Sequence, residues 1–224
     1  MIDKGLFILN FLLITTKRVI NMIKLKNLTI ETRHPILKAI NYTFEDNKIY
    51  GIVAENGSGK TTLFRTLMGL RKPVGGKILF DNRPVVKKLK DVFYFETIEW
   101  LDKNLKGMDY LLFVKKSWNS KISIQKVIDY WGMNDYVNIP IKKYSLGMKQ
   151  RLIIAMYIVS DAKYMIMDEI TIGLDEENRE LFFNVLENMS NKTILISSHY
   201  KEEIALVCDK VLQIKNLNLC EVDI

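Results

Sequence analysis

Cysteine, histidine, proline and glycine are all scarce in this chain of 224 residues, which holds 2 Cys, 2 His, 4 Pro and 11 Gly. Two thiols, Cys208 and Cys220, with two imidazoles form neither a disulfide framework nor a zinc-type cluster. That fits a reducing cytosol, and both thiols are expected as packing residues. The few glycines and prolines, with no tract of a single residue type, exclude a low-complexity chain or a flexible linker. A long hydrophobic run is missing too. The longest apolar stretch, Gly5 to Ile14, contains Asn10 and falls well short of the ~20 residues a membrane-spanning helix needs. Lys17 and Arg18 follow it where a secretory signal would place small residues for cleavage. Met22 opens MIKLKNLTIE, a fresh start for a strand of alternating character, so residues 1–21 read as an appendage or as the result of an upstream start codon.

What is present is enough for one full-sized domain, with or without a small inserted subdomain: 48% of residues are hydrophobic and 26% charged. The 33 basic and 26 acidic residues give a formal charge of +7. Such a charge would suit an anionic partner, but the basic residues are spread along the chain. The densest cluster, Lys87, Lys88 and Lys90, reads as a solvated surface connection.

Strands are expected at Ile23 to Glu31, Ile40 to Phe44 and Lys48 to Ala54, the last rich in β-branched and aromatic residues and therefore buried. It runs directly into ENGSGKTTL. Helical spacing follows from Thr61 to Leu70, closed by Gly69, Pro73 and the pair Gly75, Gly76 before a strand at Lys77 to Phe80. Strand, glycine loop and helix in this order make a phosphate site. Backbone N–H groups from Asn56 to Thr61 converge on an anion if Gly57 and Gly59 let the loop wind tightly, and the helix start adds its positive end. Lys60 supplies a mobile charge and Thr61 a hydroxyl for Mg²⁺. The phosphate-binding set is then Glu55, Asn56, Gly57, Ser58, Gly59, Lys60, Thr61 and Thr62. Ala54 stands where the usual pattern begins with glycine.

A second buried strand, Lys163 to Met167, ends in Asp168 and Glu169. Adjacent carboxylates at such a place need a partner or a cation. Asp168 is the expected Mg²⁺ holder, and Glu169 the group that orients or deprotonates an attacking water. A third strand, Thr193 to Ser197, ends at Ser198 and His199. If the three strands are parallel neighbours, His199 lies on the carboxyl edge where open α/β sheets bind ligands, within reach of a γ-phosphate.

The segment Tyr144-Ser145-Leu146-Gly147-Met148-Lys149-Gln150-Arg151 leads into the apolar helix LIIAMYIVS, and Ser145 with the first N–H groups of that helix makes a second anion site. Taken with the phosphate loop, the Asp-Glu pair and the terminal His, in this order, the chain from Met22 onward resembles the nucleotide-binding subunit of an ABC transporter. The family's signature reads LSGGQ. Ser145 and Gly147 match it; Tyr144, Leu146 and Met148 depart, in a variant similar to those of bacterial antibiotic, peptide and ion exporters. The resemblance implies a P-loop α/β fold with an inserted helical subdomain at about 97–150; between Glu96 and Lys143 the residue pattern itself changes from strands to helices, with Leu105 to Ser117 and Ile124 to Gly132 the best candidates. Trp100, Trp118 and Trp131 are expected mostly in its core. It also implies ATP and Mg²⁺ as cofactors, Ser145, Gly147 and Asp175 as nucleotide contacts from a second ATPase subunit, and an integral membrane permease as partner.

Asp175 reads equally as the N-cap of a helix from Glu176 to Met189. The family's magnesium-sensing glutamine has no counterpart at Tyr94-Phe95-Glu96-Thr97, where Glu96 is the nearest substitute. No aromatic for stacking on adenine lies at Thr32 to Pro35, where His34 is the stand-in. The expected activity is ATP hydrolysis coupled to transport, with a lean to export, at the cytoplasmic face of the membrane. No nucleic acid is expected as partner. Two other classes stay open at this point: an ABC-type ATPase acting on nucleic acid or ribosomes, which the charge would suit, and a P-loop kinase or simple nucleotide-binding module, which would lack the YSLGMKQR segment.

Overall fold

The computed structural model describes residues 22–55, 57–189, 191–198 and 204–222. Residues 1–21, read above as an appendage, and the site candidates Asn56 and His199 lie outside the described residues. In chain order the elements are β1 (Met22–Glu31), β2 (Pro35–Glu45), β3 (Ile49–Val53), α1 (Lys60–Leu67), β4 (Gly75–Phe80), β5 (Val92–Tyr94), α2 (Gly107–Trp118), α3 (Ile124–Tyr130), α4 (Leu146–Ser160), β6 (Tyr164–Met167), α5 (Glu176–Glu187), β7 (Thr193–Ser197), β8 (Lys210–Lys215) and β9 (Asn218–Val222).

Two sheets hold the molecule. The larger runs β5-β6-β7-β3-β8-β9, parallel through β8 and antiparallel at β9; the smaller is antiparallel, β2-β1-β4. The central strand β3 is buried along its whole length, as a parallel strand covered on both faces must be. Its side chains and those of β6 and β7 divide by the strand period of two. Tyr50, Ile52, Tyr164, Ile166 and Leu195 enter one core together with Leu63, Phe64 and Leu67 of α1 and the apolar face of the smaller sheet. Ile49, Val53, Met165, Met167, Ile194 and Ile196 enter a second core with α2 to α5. Helix α1 is thereby clamped between the sheets.

In β1 the alternation slips once. Asn27, at φ 50°, lies in a bulge between Leu25 and Leu28, so both leucines face inward. β2 begins at Pro35, ahead of the expected Ile40, because β1 offers pairing partners back to Glu31. The hairpin of β8 and β9 carried no clear sequence signal. Its two-residue turn puts Asn216 and Leu217 at φ 49° and 61°, and a leucine there hides a turn type that glycine normally marks. The Lys38 N–H donates to the Leu217 carbonyl at 2.9 Å and helps hold that turn.

Three expectations need correction. Cys220 is exposed, since the β9 alternation turns Leu219 inward and Cys220 out; only Cys208 packs, and burial pushes its thiol up to about 12. Trp131 is buried, and Trp118 packs partly, its indole N–H donating to the Val92 carbonyl at 3.1 Å, but Trp100 stays 47% exposed. Lys88 is also no solvated residue, unlike the exposed Lys87 and Lys90. Its ammonium lies 3.0 Å from Asp81 and 2.7 Å from Asp91.

Asp81 is the ionic rivet between the sheets. Following β4, it accepts from the Tyr164 hydroxyl at 2.5 Å and the Lys163 ammonium at 2.9 Å at the start of β6, and from the Met22 N–H at 3.2 Å. Burial pushes its carboxyl up, but the bonds from Tyr164, Lys163 and Lys88 outweigh that and hold it below the usual aspartate value of 3.8. A carboxylate with a lowered folded pKa stabilises the fold above its unfolded pKa, and that contribution is lost as pH falls through the folded value. Asp81→Asn is expected to lower stability by about 2 kcal/mol at pH 7. In urea titrations the gap from wild type should narrow as pH is taken below 3.8.

Candidate active site

The order β6-β7-β3 makes parallel neighbours of three strands distant in sequence, so their carboxyl ends open on one edge, the usual ligand edge of an α/β sheet. From the end of β3 the chain turns through residues 54–59 into α1. Gly57 and Gly59 both adopt positive φ, 77° and 105°. At Gly59 a Cβ would come within 2.5 Å of Ile36 on β2, so only glycine lets the loop lie against the smaller sheet. Lys60 is 5% exposed. Its ammonium donates to the Ala54 carbonyl at 2.9 Å and lies 3.7 Å from Glu169 Oε1. Gly57, Gly59, Lys60, Thr61, Thr62 and Glu169 line one cleft of about 160 Å³. Six of the predicted residues, from two sequence regions, are thus brought together.

At the end of β6, Asp168 accepts from the Ser197 hydroxyl at 2.6 Å. Burial raises the Asp168 carboxyl; Ser197 and Thr61 pull it down, and Glu169 and Glu96 push it up again. No group of three or more His, Cys, Asp or Glu among the described residues is arranged to hold a metal ion. One partly buried carboxylate beside one hydroxyl is nonetheless a hard-oxygen pair of the kind that serves Mg²⁺, which takes its remaining ligands from substrate phosphates and water. The donor chemistry of Thr61 and Asp168 therefore fits the ion. Glu169 is the one acidic residue of the described chain in the left-handed region apart from Asp81 and Asp161, at φ 50°. A non-glycine residue held there stores about 1–3 kcal/mol of strain, which the surrounding bonds must outweigh. Its N–H donates to Ser197 Oγ at 2.9 Å, and the Gln150 amide donates to the carbonyl of Ile170.

Glu96, the substitute for the missing glutamine, follows β5 on the same edge. Its side chain is 7% exposed and forms a two-pronged bond with Arg65 of α1, Nε to Oε2 measuring 2.7 Å. The Tyr94 hydroxyl donates to the same Oε2 at 2.8 Å. Arg65 therefore holds the Glu96 carboxyl below the usual range against the opposing effect of burial. Sequence reading missed Arg65, Ser197 and Gln150, since each acts through contacts between elements far apart in the chain. With Phe95, Leu146, Gln150 and Ile172, the groups Glu96, Asp168 and Glu169 line a second cleft of about 280 Å³, which Glu169 shares with the first.

Ser145 and Gly147 lie elsewhere, outside the residues lining the phosphate-loop cleft. Ser145 caps α4, accepting from the Met148 N–H at 3.2 Å, while its own N–H points to Met148 Sδ at 3.4 Å. Asp175 caps α5, accepting from the Asn178 N–H at 2.9 Å and thereby keeping a lowered pKa. Gly173, at φ 83°, accommodates Leu146, whose Cγ would sit 2.7 Å from an added Cβ. Leu146 and Ile172 are nearly half exposed. Thr32 to Pro35, with the adenine stand-in His34, are exposed and precede Ile36, the residue against Gly59.

Arg65→Ala would strand a buried carboxylate, and a loss of about 1–3 kcal/mol is expected. Adding Glu96→Gln removes the unpaired charge and should recover most of it. Chemical denaturation of the single and double variants checks both steps.

The sequence profile of the ABC transporter family matches residues 37–172. Among curated proteins, the uncharacterized ABC transporter ATP-binding protein YybJ of Bacillus subtilis (strain 168) is 34% identical over 206 residues, 87% of this chain and 93% of that protein. The lantibiotic transport ATP-binding protein SrtF of Streptococcus pyogenes is 31% identical over 193 residues, 84% of each. Among solved structures, cbiO1 from Clostridium perfringens, described as part of the ABC transporter complex cbiONQ, superposes with a TM-score of 0.70 at 26% identity, covering 90% of this chain and 87% of that one.

Proposed function

This chain belongs to the ABC transporter family of ATP-binding proteins, and from that premise we propose that it hydrolyses ATP at Lys60, Asp168 and Glu169, in a site completed by a second ATPase subunit. The observation that carries the reading is the meeting of Glu169 Oε1 and Lys60 Nζ at 3.7 Å in the phosphate-loop cleft. Backbone N–H groups of the loop, within the set Glu55, Asn56, Gly57, Ser58, Gly59, Lys60, Thr61 and Thr62, bind the β- and γ-phosphates, and Lys60 adds its charge. Glu169 orients the attacking water and takes its proton as oxygen bonds to phosphorus in line with the leaving oxygen of ADP. His199 follows β7 by two residues and is assigned to the γ-phosphate. Thr61 and Asp168 are the residues that would hold Mg²⁺, which when bound neutralises charge on the phosphate oxygens. The domain is taken as 22–224, with its helical subdomain at about 97–150.

Several observations support a second subunit. Ser145 and Gly147 begin α4 with N–H groups free of the phosphate-loop cleft of their own chain, and Leu146 with Ile172 leaves apolar surface beside them. Two copies facing head to tail would place each signature helix over the other's phosphate loop, with Asp175 between them. Exposed Trp100, Leu105, Leu112 and Phe113 in and before α2 support docking of the permease on the helical side. No helix among the described residues is long and apolar enough to cross a membrane, which is consistent with peripheral attachment to that permease at the cytoplasmic face. Export is the direction favoured by the signature variant and by the likeness to a lantibiotic transport protein.

Glu169→Gln keeps the shape and removes the carboxylate. ATP is expected to bind as in wild type while turnover falls by about 10²–10⁴-fold. Loss of ATP binding in a filter or fluorescence assay would make Glu169 structural instead.

Mixing tests the shared site. Lys60→Ala and Ser145→Arg are each expected to be inactive alone, one lacking the phosphate charge and the other the signature. A mixed dimer pairs an intact Lys60 with an intact Ser145, so activity should reappear when the two proteins are combined. An inactive mixture would mean that the chain works alone or pairs with a different ATPase subunit.

A further inference from the structure

The backbone around Glu169 is gripped at three points, and two of the grips are side chains with no part in the chemistry described above. Ser197, the last residue of β7, is completely buried. A hydroxyl has one proton to give. Its Oγ accepts from the Glu169 N–H at 2.9 Å, so that proton goes to Asp168 Oδ1 at 2.6 Å, and a single atom ties together both members of the carboxylate pair. On the far side of Glu169, the buried Gln150 of α4 donates from Nε2 to the Ile170 carbonyl. Between them the Glu169 carbonyl accepts from the Ile172 N–H at 3.1 Å. The polar groups of the turn are thus engaged one after another, and Glu169 is kept at φ 50°, where a glutamate does not settle unaided.

We infer that Ser197 and Gln150 are positioning residues for the reaction, setting the direction of the Glu169 side chain by locking its strained backbone from two different elements. Both act through Glu169, Gln150 by that route alone. Ser197 does so from β7 and also orders Asp168. Gln150 does so from α4, the helix that presents Ser145 at its start, so that the signature helix of a chain also braces that chain's own general base. The inference rests on Glu169 acting as the base. Displacing a catalytic group by about 1 Å is enough to lower a rate by ~10²-fold, which sets the size of effect available.

The test compares Ser197→Ala and Gln150→Met in the full chain, each made in wild type and in Glu169→Gln. In wild type, Ser197→Ala should lower kcat by about 30- to 100-fold and Gln150→Met by about tenfold, with the KM for ATP and the Kd for a non-hydrolysable ATP analogue within about threefold. Positions that work only through Glu169 lose their effect once its carboxylate is gone. In Glu169→Gln, adding Gln150→Met should therefore lower the residual rate by less than about threefold, while Ser197→Ala, which also frees Asp168, should lower it by less than it does in wild type. Unchanged kcat in both variants would overturn the inference. So would losses that multiply fully with Glu169→Gln, or an analogue affinity that falls in step with kcat. If Ser197→Ala fails to fold, as its melting curve would show, Gln150→Met carries the same test from the other side of the turn. Should Glu169→Gln itself hydrolyse ATP normally, it is the assignment of the base that fails; a dead Glu169→Gln beside a normal Ser197→Ala and Gln150→Met removes this inference alone.

Discussion

A buried ammonium surrounded by oxygen is the constraint around which the rest of the structure is arranged. Lys60 lies at 5% exposure, between the Ala54 carbonyl and the Glu169 carboxylate. A charge so far from water is tolerable only where acceptors are already fixed. Fixing them requires the loop, the strand that feeds it and the neighbouring strands to be rigid. The fully buried β3, the clamp of both sheets on α1 and the contact of Gly59 with Ile36 meet that requirement.

The same edge concentrates negative charge. Asp168, Glu169 and Glu96 approach one another, and each is managed differently. Glu96 is neutralised by Arg65, Asp168 is steadied by hydroxyl donors, and Glu169 faces Lys60. Phosphoryl transfer asks little covalent chemistry of a protein and much electrostatic positioning. A site built from charges of both signs, on the ends of neighbouring paired strands, suits that demand.

Helix α4 links the parts. Its first turn carries Ser145, its middle gives Gln150 to the Ile170 carbonyl, and farther along the Tyr157 hydroxyl accepts from the Phe95 N–H and donates to Ile166. One helix thereby touches Ser145 at its start, the turn at Glu169 and the loop that opens at Glu96.

Most of the proposed phosphate site was legible in the sequence as local pattern. ENGSGKTT sits between a buried strand and a helix, the Asp-Glu pair ends a strand, and Ser145 caps a helix; in each case neighbours within ten residues specify both geometry and chemistry. Strand positions were legible for the same reason, through alternation, except where long-range partners decide: β2 extends to Pro35 because β1 pairs with it, and β9 exists because β8 offers an edge. The sequence by itself determined the family and the fold class, and named the residues proposed for phosphate. Only the tertiary structure decided which strands are neighbours, and with that the bridge of Ser197 to Asp168 and Glu169, the pairing of Arg65 with Glu96 across 31 positions, and the joining of the sheets at Asp81. The physical reason is that a buried polar group takes whichever partner the packing brings within hydrogen-bonding distance, and the order of residues along the chain does not state that distance.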